Sequence, residues 1–243
     1  MKYSDVEISS VSDLITQLKN HICDFKGPIW FRGQSRSEWS LQPRLMRLED
    51  KPPETHYFNR FKQDASLILQ SRPNNEFEWL FLMQHYGVPT RLLDWSESAL
   101  VALYFAISKE PEEDGALWVL QPTVLNQKSR YKPEFEFEIP SFEDEILINY
   151  LPSTIARESK SSLLPIAAIA PRNSPRMQAQ QGVFTISHRE NIIIENSGDT
   201  IDHIWKYIIP NSCKSELIKE LKLLGTNKFQ LFPELDSLSE IFS

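Results

Sequence analysis

The chain has 243 residues, 41% of them hydrophobic and six of them tryptophan, enough for a sizeable core and too apolar for a disordered chain. Twenty-six basic against 33 acidic residues give a net charge of −7, so the surface as a whole does not favour nucleic acid as a partner. Cys23 and Cys213 fit neither a disulfide framework nor metal-ligand spacing, and the five histidines show no ligand spacing either. With no apolar run of membrane-spanning length and no leader-like start, the expectation is a cytoplasmic, non-membrane protein with reduced thiols and no metal.

In chain order, Ser10 to Asp13 has the spacing of a helix start, and Val11, Leu14, Ile15, Leu18 and Ile22 recur at helical period, so a first helix ends before Gly27-Pro28. A short apolar strand at 29–31 runs into Arg32-Gly33. Residues 35–53, broken by prolines 43, 52 and 53, read as irregular. Tyr57, Phe58, Phe61, Ala65 and Ile68 mark a second helix, and Phe77, Leu80, Phe81 and Gln84 a third, which Gly87 and Pro89 stop. Residues 99–107 are apolar nearly all round and predict a buried helix, with Asp94 or Ser96 as its cap.

Residues 115–120 follow as a central strand, and 121–142 as a long insertion around the run Phe135-Glu136-Phe137-Glu138, before a short helix at 143–151. The continuous apolar run 165–170 predicts a strand buried on both faces. Further strands are expected at 182–186, 191–195 and 204–209. Ser212 is read as the cap of a helix through Leu224 that leaves at Gly225, and Pro233 as the opening of a last helix ending near Phe242. No linker divides the chain. The expected architecture is a single α+β domain over 1–243, with N-terminal helices packed on a mixed β-sheet.

Two segments carry most of the chemical interest: Trp30-Phe31-Arg32-Gly33-Gln34 and Gly87-Val88-Pro89-Thr90-Arg91-Leu92-Leu93-Asp94-Trp95-Ser96. Each sets an arginine among apolar residues beside a backbone-bending glycine or proline. Such a guanidinium is costly to bury unless a carboxylate, a carbonyl or a ligand phosphate occupies its fork. Arg36, Arg44 and Arg47 with Trp39 form a basic-aromatic stretch, read either as a phosphate contact or as a loop pairing with the acidic surface. His85 is read as a hydrogen-bonded histidine at a helix end, with a proton-carrying role as the alternative. The glycine signatures of Rossmann, P-loop and α/β-hydrolase sites are absent.

Trp30 to Gln34, Gln84 to Ser96, Ala102-Leu103-Tyr104-Phe105-Ala106 and Arg176 to Thr185 resemble, in this order, the blocks of the FRG-domain family, a mainly bacterial family named for its Phe-Arg-Gly motif; the resemblance spans about residues 10–190. At fold level the layout also resembles ADP-ribosyltransferases of the Arg-Ser-Glu type. That second resemblance implies NAD as substrate, with Arg32, Ser96 and Gln180 in the three catalytic positions and Gln181 as the neighbour of the third. Arg32, Gly33, Gln34, Arg91, Asp94 and Gln181 are the expected nucleotide-binding residues, Gly33 letting the ligand approach the backbone closely. The chain departs from the transferase pattern where Gln180 replaces a carboxylate, and Asp94 or Glu97 are the candidates to supply one.

Two readings therefore stand. One is an NAD-consuming transferase or glycohydrolase acting on a macromolecular acceptor, in a toxin or anti-phage setting. The other is a non-catalytic module that recognises a nucleotide signal, a nucleic acid or a protein partner. For Arg91, pairing with Asp94 or another carboxylate stands beside the ligand role.

Overall fold

The computed structural model describes residues 1–129, 131, 137–157, 162–172, 174–190 and 192–238. Seven strands are described: β1 (Val6–Glu7), β2 (Trp30–Gln34), β3 (Leu92–Ser96), β4 (Gly115–Leu120), β5 (Ile166–Ala168), β6 (Gly182–Ile186) and β7 (Ile204–Ile209). They join in one sheet of order β1-β7-β4-β2-β3-β6-β5, in which β1 runs parallel to β7 and every other pair is antiparallel. The helices are α1 (Val11–Ile22), α2 (Glu54–Ala65), α3 (Glu76–His85), α4 (Ala99–Ile107), α5 (Pro122–Lys128), α6 (Pro152–Arg157), α7 (Pro175–Ala179), α8 (Lys214–Leu223), α9 (Lys228–Leu231) and α10 (Leu235–Leu238). The expected mixed-sheet α+β architecture is borne out. None of the described helices is long and apolar enough to cross a membrane.

Strand alternation sends side chains of the sheet to opposite faces. Phe31, Leu117, Val119, Trp205 and Tyr207 pack with Val11, Leu14, Ala102, Leu103, Ala106 and Leu217, so α1, α4 and α8 cover one half of one face. Leu92, Phe184 and Ile186 pack with Phe58, Phe77, Leu80 and Met83 under α2 and α3. The intervening residues Trp30, Leu93, Trp95, Trp118 and Val183 form a third cluster with Leu41, Leu125 and Ile194. β4 is buried at all six positions because both faces are covered, which is the central strand its apolar run predicts.

The second helix forms but stops at Ala65, leaving Ile68 exposed in the turn that follows, and the third forms where expected, α3 starting at Asn75, whose side chain accepts from Glu78 N, and ending before Gly87, which takes φ +73. Ser10 caps α1, its Oγ accepting from Asp13 N at 3.0 Å. Elsewhere the expected caps differ. Ser98, not Asp94 or Ser96, caps α4, since its Oγ accepts from Val101 N while Ser96 Oγ accepts from Ser98 N one step earlier. Ser212 sits inside a 3₁₀ turn, Asn211–Cys213, and α8 begins after it with no side-chain cap. Residues 192–195 do not form a strand: a 3₁₀ turn, Ile194–Asn196, tucks Ile194 into the core, and Glu195 Oε1 accepts from Leu41 N at 2.7 Å. Asn191 lies outside the described residues.

The expected insertion at 121–142 begins as α5, whose Asn126 pairs through both amide atoms with the backbone of Ala167 and so closes part of the β5 edge. The short helix expected at 143–151 is a 3₁₀ helix, Glu145–Tyr150. Phe135 and Glu136, and the end of the expected last helix beyond residue 238, lie outside the described residues.

Candidate functional site

β2 and β3 pair at a single position, Phe31 with Ser96, while β2 continues along β4 and β3 along β6. At this parting Arg32 donates from Nη1 to the Asp94 carbonyl at 2.6 Å. A cavity of about 270 Å³ opens here, walled by β2, β3 and β6, by α3 and α4, and by α7. Its lining includes Arg32, Gln84, His85, Asp94, Ser96, Phe105, Arg176 and Gln180.

Arg32 is held differently from an architectural arginine. Its Nε is buried without a hydrogen-bond partner, and among the described residues no carboxylate lies within the 4.0 Å of an ion pair. Burial pulls the guanidinium below its ordinary value; the Asp94 charge opposes this and the Arg47 charge adds to it. The cation persists, because arginine does not lose its proton in proteins. Arg176 stands in the same wall, its guanidinium 4.7 Å from the centre of the Phe232 ring. The cleft thus concentrates positive charge in an acidic chain.

Asp94 is the one carboxylate among the lining residues, and its orientation is set by a relay within its own segment. Thr90 Oγ1 donates to Gln84 Oε1 at 2.5 Å, and Gln84 Nε2 donates to Asp94 Oδ2 at 2.8 Å. With Gln84 Oε1 fixed as an acceptor, its amide NH₂ is turned to the carboxylate. Glu97, the other carboxylate considered, pairs instead with Arg172 and does not line the cavity. His85 is held below its ordinary value by burial and by Arg176, partly offset by Glu234, which favours its neutral form at neutral pH.

Ser96 and Gln180 do meet, through main chain as much as side chain. Ser96 Oγ donates to the Gln180 carbonyl at 2.7 Å, and Gln180 Nε2 donates to the Leu231 carbonyl at 3.0 Å. Gln181 is exposed with φ +47, accepts from Glu97 N through its carbonyl, and does not line the cavity. Gln34 is 6% exposed and lies behind the site, its amide joining Trp118 Nε1 at 2.7 Å to the Ser40 carbonyl.

Gly33 lines the cavity, but its missing side chain serves packing. A Cβ there would fall 1.9 Å from Ala102 O and 2.5 Å from Ala106 N, so only glycine lets α4 lie this close on β2. Arg91 is 2% exposed and outside the cavity wall. Its Nε donates to Glu54 Oε2 at 2.7 Å, and its Nη1 and Nη2 donate to the carbonyls of Ser187 and Tyr150, both at 2.6 Å. Its partner is therefore Glu54 rather than Asp94, and it ties β3 to α2 and to the turn before α6.

The basic-aromatic stretch divides. Arg36 pairs with Glu38, Glu110 and Glu113, whereas Arg44 donates to the Gly87 carbonyl beyond α3. Gln84 and Arg176 line the cavity without being candidate site residues in the sequence; Gln84 shares a block with Asp94, Arg176 shares one with Gln180, and Phe105 belongs to the block 102–106 between them.

No curated protein and no solved structure matches the chain. The family comparison covers a shorter span than the blocks suggested, ending at β4 and leaving Arg176 and Gln180 outside it. Residues 27–115, which supply Arg32, Gln84, His85 and Asp94 to the cleft, match the family model of the FRG domain.

Proposed function

We propose that the cleft binds NAD or a related nucleotide and that the protein is an ADP-ribosyltransferase-like enzyme. The observation that carries this reading is the Arg32 side chain, half-buried at the cavity wall with a buried, unpartnered Nε and, among the described residues, no ion-paired carboxylate. A cation so placed calls for an anion from outside the chain, and a phosphate fits the guanidinium fork bidentately. Arg176 supplies a second positive group, and Phe105 an aromatic surface.

Cleavage of the N-glycosidic bond of NAD sends the bonding electron pair to nicotinamide, which leaves neutral, and leaves positive charge on the ribose. Asp94 is the group in the cleft able to stabilise that charge, and Gln84 holds its carboxylate in place. Water or an acceptor nucleophile then adds to the ribose carbon and gives up its proton to solvent water. Gln180, with its nitrogen engaged by Leu231, offers its amide oxygen to a ribose hydroxyl.

A second reading, a recognition module that binds the nucleotide without cleaving it, is favoured by Ser96 and Gln180, whose polar atoms serve backbone contacts. Calorimetric titration with NAD, together with release of nicotinamide from labelled NAD, separates the two. Binding that falls at least tenfold in Arg32→Ala, with release lost in Asp94→Asn, is the enzyme result. Binding without release is the module result, and no binding by the folded protein refutes both.

A further inference from the structure

A second cavity, of about 640 Å³, lies beside the first, and the two share Phe81, His85 and Met177 as a common wall. The first alone, at about 270 Å³, falls short of the roughly 300–1,000 Å³ usual for ligand sites. The two differ in charge. The first carries Arg32, Arg176 and Asp94; the second carries Arg72, Glu78 and Glu143 among polar, aromatic and aliphatic residues, Leu82 and Met177 included. Phosphates therefore belong in the first, and a neutral group with hydrogen-bond donors in the second.

The rim of the second cavity carries an aromatic ring left open to solvent. Tyr86, which ends α3, is 65% exposed, and its ring meets that of His85 edge-on with centroids 4.9 Å apart. A planar base can stack on such a ring without displacing any core packing.

We propose, resting on the nucleotide reading of the cleft, that the ligand is a dinucleotide and that the second cavity holds its adenosine half. The adenine stacks on Tyr86, the adenosine ribose and amino group meet the acceptors of Glu78 and Glu143, and the pyrophosphate crosses beside His85 toward Arg32 and Arg176. The nicotinamide ribose then lies in the first cavity beside Asp94.

The test is calorimetric titration of the full chain with NAD, with nicotinamide mononucleotide and with AMP. NAD is expected to bind at least tenfold tighter than either half. Tyr86→Ala is expected to bring NAD down to the affinity of the mononucleotide while leaving the mononucleotide unchanged, and Tyr86→Trp to retain the advantage of NAD. Because Tyr86 is exposed, the fold should tolerate both changes. Equal affinities for NAD and the mononucleotide in the unaltered protein overturn the proposal, as does a Tyr86→Ala loss shared equally by both ligands. Arg32→Ala reports separately on the cleft: if it leaves mononucleotide binding unchanged, the reading of the first cavity fails, while the NAD-to-mononucleotide ratio and its dependence on Tyr86 still decide the second.

Discussion

Gly33→Ala tests whether the motif glycine serves packing or ligand approach. The added Cβ would sit 1.9 Å from Ala102 O and 2.5 Å from Ala106 N, where ordinary contact begins near 3.4 Å. Both obstacles are main-chain atoms of α4, so no side chain can rotate away. Relief requires the helix to lift by about 1.5 Å from β2, which loosens Phe31, Ala102 and Ala106 in a fully packed cluster. Overpacking of this kind costs about 1–3 kcal/mol, and with backbone on both sides the upper end, about 3 kcal/mol, is expected. For a chain of this length that is a fall in melting temperature of about 6–12 °C. Calorimetry on the ligand-free protein measures it, with circular dichroism to show that the variant folds. A variant that melts within about 2 °C of the parent but binds nucleotide poorly would refute the packing account and return the glycine to the ligand.

Arg91→Leu leaves the buried Glu54 carboxylate unpaired and removes bonds to two buried carbonyls, so a loss of about 3–5 kcal/mol in urea denaturation is expected. A cost below about 1 kcal/mol would contradict the brace role, and a second change, Glu54→Leu, should recover part of the loss. Two buried groups set opposite pH dependences. Burial raises the Glu195 carboxyl above its ordinary 4.5, so between 4.5 and its native value the folded state keeps a proton that the unfolded chain has released. Stability therefore falls as pH rises through that interval, and Glu195→Gln should flatten the slope while an amide oxygen still accepts from Leu41 N. Burial lowers His203 below 6.5, so as pH drops below 6.5 the unfolded chain takes up a proton that the folded state refuses, and stability falls. Replacing His203 by Gln should reduce this acid-side loss in denaturation curves taken from pH 5 to 8; an unchanged slope would rule the residue out as its source.

What the sequence made legible was local. The Ser10 cap, the helical period of α1 and the unbroken apolar run of β4 each state their structure within a few residues. β3 was not legible as a strand, because Asp94 stands exposed in its middle and the strand splits from β2 after one pair. The isoleucine run at 192–194 has strand composition, yet a 3₁₀ turn buries Ile194 equally well, and composition cannot tell these apart. Partners distant in sequence were out of reach altogether. Arg91 is satisfied by Glu54, Tyr150 and Ser187, and Gln34 by Trp118, which no local pattern announces.

The same distinction explains why one motif arginine belongs to the framework and the other to the cleft. Both stand among apolar residues beside a glycine or a proline, so composition makes them equivalent. Arg91 has three partners around its fork, one of them charged, and its cation is neutralised within the chain. Arg32 has one carbonyl, a bare Nε and a second arginine acting against it. Desolvation without neutralisation is unfavourable in the free protein, and an anion that fills the fork removes that cost only when it is bound. In the nucleotide reading proposed above, the incomplete shell of Arg32 is a stored preference for a negatively charged ligand. Its place at the split between β2 and β3, beside an Asp94 already held by Gln84, is where the proposed ligand's anionic group would meet Arg32 and its developing positive charge would meet Asp94.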